Sequence, residues 1–323
     1  MAKVLIVSHD RDVHTSAVLA ELSELGTKAA VLDLSTLPQL ASLSYDYDQP
    51  TTAMLYDQTS EPSLVLEDFG AVWWRRPQYL DLSHVTDGDA RSFSEGEWDE
   101  ALSGLWPMLD AFWINEPHVD RLASRKAWQL KEAKRIGLRI PRTLITNNPV
   151  HARAFIESCG GPEHTIYKSF SATYAAWRET RRLRPDELEL LDAVSVAPVI
   201  FQEYVPAGVN LRVTVVGADL FPAVIETNGT DYEADFRMSL SRGVPITEGT
   251  IPPEVETNLL ALMHRLRLVY GAIDLRRSPD GDYYFLEVNT AGQWLFVEEE
   301  TGQPIARTLA TKLAKEAATH GTV

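Results

Sequence analysis

Gly271-Ala-Ile-Asp-Leu-Arg276, then Tyr283-Tyr-Phe-Leu-Glu-Val-Asn289, then Thr290-Ala-Gly-Gln-Trp-Leu-Phe296 is the stretch that decides the reading of this chain. Pro279-Asp-Gly281 between the first two pieces is a turn signal, so they read as two strands of a β-hairpin. Alternation puts Phe285, Glu287 and Asn289 on one face of the second strand and Tyr284, Leu286 and Val288 on the other. Asp274 interrupts the apolar first strand and can sit opposite Glu287. Two carboxylates and an amide amid apolar neighbours are costly unless a cation joins them. Oxygen-only donors suit Mg²⁺, which keeps waters and bridges to nucleotide phosphates. A surface hairpin with scattered acids fits the same spacing, so the rest of the chain has to decide.

Composition sets the outer limits. A chain of 323 residues with 45% apolar and 24% charged residues is an ordinary globular one, long enough for two or three cores. No apolar run reaches about 18 residues, so no membrane partner is expected. Met1-Ala-Lys-Val-Leu-Ile-Val-Ser8 reads as a first strand rather than a signal peptide. The single Cys159 fits a cytoplasmic location. Thirty Lys and Arg against 46 Asp and Glu give a net charge of −16, which opposes nucleic-acid binding. An anionic ligand must then be held by local cations.

Outward from the hairpin, the chain is an α/β protein in three parts, expected at 1–118, 119–205 and 206–323. The first opens with strand 3–7, a helix from His14 to Leu25 and strand 28–34, a βαβ start that predicts a parallel sheet. The loop Ser8-His-Asp-Arg-Asp12 lacks the glycine fingerprint of a dinucleotide site. A meander follows over 45–66, and then a buried strand ends in Trp73-Trp-Arg-Arg-Pro77. Arg75 and Arg76 stand where α/β sheets place ligands, and fit either bidentate carboxylate or phosphate contacts or plain ion pairs. Helices are expected over 95–112 and, as one long element, over 119–136. In the middle part Lys168 interrupts a strand, as an edge lysine or a phosphate ligand. In the last part, strands 210–217 and 220–227 pair, with Arg212 and Thr214 on one face, and a helix over 253–268 leads into the hairpin.

Ser124-Arg-Lys-Ala-Trp-Gln-Leu130, Gly137-Leu-Arg-Ile-Pro-Arg-Thr143 and Phe285-Leu-Glu-Val-Asn289 resemble the ATP-grasp superfamily. Trp73-Trp-Arg-Arg-Pro77 and Glu287-Val-Asn-Thr-Ala-Gly-Gln-Trp-Leu-Phe296 are similar to the ATP-grasp peptide maturases of the microviridin and graspetide type. The resemblance spans nearly the whole chain. It implies a pre-ATP-grasp domain, a small central domain and a C-terminal ATP-grasp domain. It implies ATP and Mg²⁺, with Lys126 and Lys168 on the phosphates and Gln202, Glu203, Tyr204 and Val205 beside adenine. Arg212 would stabilise the transferring phosphoryl group, Arg237 the acyl phosphate or carboxylate, and Asp274, Glu287 and Asn289 would carry the metal. Asn210 and Thr290-Ala291 depart from the usual pattern, without removing any of these ligands.

The implied activity is phosphorylation of Asp or Glu side chains in a ribosomal precursor peptide, leader plus core, followed by ester or amide crosslinking. The alternative is a ligase joining amino acids to a small acid or a protein C-terminus. Arg75, Arg76, Tyr232, Asp235 and Phe236 are the expected substrate contacts, the last three within a leader-gripping segment over 223–242. A homodimer is left open.

Overall fold

Val4 to Val7 form a continuous apolar run, and a strand of that kind is stable only when both of its faces are covered. The computed structural model of the chain describes residues 3–48, 53–56, 62–170, 180–206, 208–226 and 243–320. The expected positions Tyr232, Asp235, Phe236 and Arg237 lie outside the described residues. In the N-terminal part, strands β1 (Lys3–Val7), β2 (Lys28–Leu32), β6 (Ala71–Trp74) and β7 (Phe112–Ile114) form a parallel sheet in the order β2-β1-β6-β7. β3 (Ser42–Tyr45), β4 (Ala53–Tyr56) and β5 (Pro62–Val65) are the expected meander.

The two faces of β1 feed different cores. Val4 and Ile6 pack with helix α1 (Val13–Glu24), whereas Leu5 and Val7 pack with helix α2 (Gly88–Leu105) and Trp106. α2 begins at the Asp87 cap and stops at Leu105, earlier than the expected 95–112 span, because Trp106-Pro-Met108 tightens into a 3₁₀ turn. The expected 119–136 helix is two helices, α3 (Pro117–Ala123) and α4 (Lys126–Arg135). Arg125 is extended between them, which starts α4 at Lys126.

The central part is an antiparallel sheet of β8 (Thr143–Thr146), β9 (Thr165–Lys168), β10 (Arg181–Arg182) and β11 (Val199–Glu203), in the order β10-β9-β11-β8. Helix α5 (Pro149–Ser158) and a 3₁₀ stretch over Pro185–Val196 cover it. The third part is an antiparallel sheet of β12 (Val209–Val216), β13 (Asp219–Ile225), β14 (Ile246–Glu248), β15 (Tyr270–Arg277) and β16 (Tyr283–Asn289), in the order β14-β13-β12-β15-β16. α4 and helix α6 (Pro253–Arg265) pack on it.

After β16 the chain turns back. Helix α7 (Leu295–Thr301) and the last helix, α8 (Ile305–His320), share one core with β1, β6 and α1. The C-terminal helix thus completes the N-terminal sheet, and the loop 290–294 that follows the hairpin is held between the two. Leu309 is fully buried there. Leu309→Ala should destabilise the whole chain by about 2–5 kcal/mol, read as a lowered midpoint of cooperative thermal unfolding. A midpoint within about a degree of wild type would mean that α8 is an appendage.

Candidate active site

β15 and β16 pair with Asp274 opposite Glu287 and Ala272 opposite Asn289, so the three expected metal donors do share a face. Alternation accounts for these three, but it does not extend to Phe285. The register slips after Asp274, so that Leu275 lies opposite Phe285 and Leu286 is the extra residue of a bulge. Phe285 is therefore not on the donor face, contrary to the alternation; it packs with Ile273, Leu275 and Val288 in the core. Leu286 turns to the cleft beside Asp274 and Glu287. The bulge re-aims one apolar side chain and leaves the oxygen donors together.

Each carboxylate on this face has a cation against it. Arg212, opposite Asp274 on β12, brings its Nε to 3.2 Å from Asp274 Oδ1. Lys126 at the start of α4 pairs with Glu287. The Asn289 amide donates to Asp274 Oδ2 at 3.2 Å. The helix carrying Lys126 is locked to β16 by Gln129, whose buried amide accepts from Val288 N at 3.0 Å and donates to Val288 O at 2.8 Å. The Ser124–Leu130 motif thus fixes a lysine against a glutamate. Among the described residues no group of three or more acids, histidines or cysteines forms a metal cluster. Two carboxylates and an amide oxygen are nonetheless hard donors of the kind that fit Mg²⁺.

Two clefts meet at this face, and Glu287 lines both. The first lies between the central sheet and the hairpin and is lined by Lys168, Gln202, Glu203, Val205, Asp274 and Arg276. Lys168 is 7% exposed. β9 lies between β10 and β11, with Lys168 paired to Ile200 of β11 and its side chain turned into the cleft lining. Gln202 donates to Thr143 Oγ1 at 2.9 Å, and Glu203 accepts from Arg142 N at 3.4 Å. Tyr204 does not line this cleft; its ring lies 4.7 Å from the Arg182 guanidinium carbon and 5.7 Å from that of Arg276. Arg276, which the residue pattern alone did not single out, donates to Asn210 Oδ1 and Val205 O, each at 3.0 Å. It ties the segment that follows β11 to the hairpin.

The second cleft is lined by Arg76, Lys126, Arg212, Glu287, Asn289 and Gln293. Its wall is the loop after Asn289, and that loop is held by the N-terminal part. Arg75, expected beside Arg76 as an oxyanion holder, is only 1% exposed. Its Nη1 donates to Ala291 O at 2.9 Å and Gly292 O at 2.8 Å, while its Nε donates to Asp12 Oδ2 at 3.0 Å. Arg76 reaches Ala291 O at 3.3 Å and keeps its place in the cleft lining. Burial, with Arg75 alongside, lowers the pKa of Arg76. Tyr270 OH donates to Gly292 O at 2.7 Å, and the Asn115 amide donates to Tyr270 O at 2.9 Å and Thr290 O at 3.3 Å. A Cβ on Gly292 would come within 2.4 Å of Ala272 Cβ, so only glycine lets the loop pass this close to β15.

His14 completes the brace. Its Nε2 accepts from Trp294 N at 3.2 Å and Leu295 N at 3.3 Å, and its Nδ1 lies 3.0 Å from Asp12 Oδ1. Two N–H donors at Nε2 require the proton on Nδ1 and a neutral ring. Trp294 is fully buried and packs edge-on to His14 with ring centroids 5.1 Å apart. The Gly-Gln-Trp signature is thus the anchor of the loop, with Gln293 left facing the cleft. Asp12 and His14 escaped the sequence reading because they belong to no motif. The signal available was their place at the C-terminal end of β1, the same rule that drew attention to Arg75.

Burial pushes His14 down, partly opposed by its hydrogen bond to Asp12. Burial raises the Asp12 carboxyl, but the His14 hydrogen bond and the Arg75 guanidinium outweigh it and hold it well below the carboxylate range.

A family model described as the MvdD pre-ATP grasp domain matches residues 3–121, and a RimK-like ATP-grasp domain model matches residues 123–313. The chain is similar to the macrocyclase MdnC of Microcystis aeruginosa MRC, solved with precursor peptide MdnA, at 29% identity and a TM-score of 0.86. That match covers 97% of this chain and 99% of the other. A Chryseobacterium gregarium RiPP-associated ATP-grasp ligase, solved with ADP and a leader and core peptide, is 28% identical with a TM-score of 0.86, over 98% and 97% of the two chains. A probable alpha-L-glutamate ligase of Aliivibrio salmonicida is 24% identical over 69% of this chain and 73% of its own length.

The pH dependence of stability tests the brace. Below the ordinary histidine pKa of about 6.5 the unfolded chain takes up a proton that folded His14 resists. Stability is therefore full above that pH and is lost as pH falls towards the lowered folded value. His14→Gln should flatten this part of the pH profile of the unfolding midpoint; an unchanged slope would remove His14 as its source.

Proposed function

The chain belongs to the RimK-like ATP-grasp family, and from that premise we propose that it is an ADP-forming ligase closing ester or amide crosslinks within a ribosomally made precursor peptide. The observation that carries this reading is the meeting of two clefts at Glu287, one lined by Lys168, Gln202, Glu203 and Val205, the other by Arg76, Arg212 and the braced loop. Similarity to the macrocyclase MdnC and to the RiPP-associated ligase runs over nearly the full length of each pair of chains, N-terminal part included. The curated glutamate ligases match only 67–69% of this chain, so joining free amino acids is the weaker alternative.

ATP occupies the first cleft in this reading. Backbone and side-chain groups of Gln202, Glu203 and Val205 face the base, and Lys168 holds phosphate. Lys126 and Arg212 balance charge at the transferring γ-phosphoryl group, as fixed cations do at such sites. Asp274, Glu287 and Asn289 would hold Mg²⁺, which would supply positive charge to offset that of the phosphates. Arg76 orients a substrate carboxylate in the second cleft.

The chemistry is two substitutions. A carboxylate oxygen of a peptide Asp or Glu attacks the γ-phosphorus, and ADP leaves. A Ser or Thr hydroxyl or a Lys amine of the same peptide then attacks the acyl carbonyl. Inorganic phosphate leaves, and the nucleophile gives up its proton. A bare carboxylate is a poor electrophile, so the first step supplies the leaving group and the protein supplies position.

The test uses purified protein, ATP, Mg²⁺ and a candidate precursor encoded beside this chain. Each ring should release one ADP and remove one water mass from the peptide. Glu287→Gln should cut turnover by at least about a hundredfold with little change in the unfolding midpoint. Wild-type turnover in that variant would remove the metal assignment, and ADP release with no change in peptide mass would overturn ring closure.

A further inference from the structure

A groove on the N-terminal part, between α2, α3 and the segment 77–82, plays no role in the chemistry above. Its floor is apolar, built from Leu82, Leu102, Trp74 and Trp106. Its rim is acidic. Glu95 and Asp99 stand one turn apart on α2, on the same side as Leu102 and Ser103, and Asp120 faces them from α3. Among the described residues neither Glu95 nor Asp99 is held in an ion pair, whereas Asp120 is mostly buried against Thr290 and Asn115, and burial raises its pKa. Arg121 is the single Lys or Arg in the lining, set against the exposed carboxylates of Glu95 and Asp99. Tyr79 stands at the rim, 97% exposed.

The groove opens into the second cleft. Ser124 lines both, and the consecutive residues Arg76 and Pro77 line one each. A peptide whose reacting carboxylate lies at Arg76 therefore has this groove as its next stretch of surface. Apolar floor and acidic rim together select a bulky apolar side chain with a cationic neighbour. They disfavour a run of acids, which a chain of net charge −16 already repels.

We propose that this groove is a binding site for a segment of the precursor peptide next to the reacting residues, one that carries a large apolar residue beside a Lys or Arg. The proposal rests on the peptide-ligase reading. Binding to the groove, however, needs neither ATP nor turnover and can be measured alone.

Two probes, N-acetyl-leucyl-lysine amide and N-acetyl-leucyl-glutamate amide, are titrated into the full chain without nucleotide. The indole N–H signals of Trp74 and Trp106 are followed by NMR. The lysine probe should move both signals at millimolar concentration and bind about fivefold more tightly than the glutamate probe, as expected for exposed ion pairs. Asp99→Lys, an exposed change on α2, should abolish or invert that preference. No movement of the two signals, or a preference for lysine that survives Asp99→Lys, overturns the proposal. Because no ATP is present, such a result leaves the ligase reading intact. Failure of ring closure with probe binding preserved would fall on the ligase reading alone.

Discussion

One buried guanidinium sets the geometry on which the rest depends. Arg75 is enclosed between the N-terminal sheet and the loop after β16, and donates to Asp12 on one side and to two loop carbonyls on the other. A buried charge is stable only when it is paired and hydrogen-bonded. Asp12 supplies the opposite charge and is in turn held ionised by Arg75 and His14. His14 carries the arrangement to the backbone of Trp294 and Leu295. Removing any one of the three leaves a buried group without its partner. The loop and the N-terminal part therefore form one unit, and the wall of the second cleft is as rigid as the core beneath it.

That rigidity matters because the oxygen face itself is a balance of like charges. Asp274 and Glu287 sit directly opposite each other, where two carboxylates destabilise a sheet. Arg212 and Lys126 offset the repulsion from two different elements, β12 and α4. Both cations are positioned through hydrogen bonds or register rather than by the flexible ends of their side chains. Gln129 clamps α4 to β16, and Arg212 is carried opposite Asp274 by strand pairing. A phosphate group entering between them would meet cations already placed, which is the economy expected of a phosphoryl-transfer site.

Much of this was legible in the residues, and the exceptions have physical causes. The hairpin, its turn, the pairing of Asp274 with Glu287 and the parallel N-terminal sheet follow from alternation, turn chemistry and apolar runs. The face of Phe285 did not, because a bulge breaks the period of two, and nothing in Phe285-Leu-Glu announces the slip. The split of α3 from α4 at Arg125 was hidden because the flanking residues keep a helical pattern through the break. Arg75 and Arg76 were indistinguishable as neighbours. Only the tertiary fold shows that one is sealed in the brace and the other faces the cleft. His14, Asn115 and Tyr270 act through backbone contacts 22 to 281 residues distant in sequence, and Asp12 through the side chain of Arg75, beyond the reach of any local motif.

The claim at the centre of this account is that a peptide carboxylate in the second cleft takes the phosphoryl group from ATP in the first. The most direct measurement follows heavy oxygen placed in the side-chain carboxylates of the precursor. Ring closure through an acyl phosphate must carry one labelled oxygen per ring into inorganic phosphate, with the other kept in the ester or amide. Label found in that proportion is the predicted result. Inorganic phosphate free of label, with rings nevertheless formed, would contradict it.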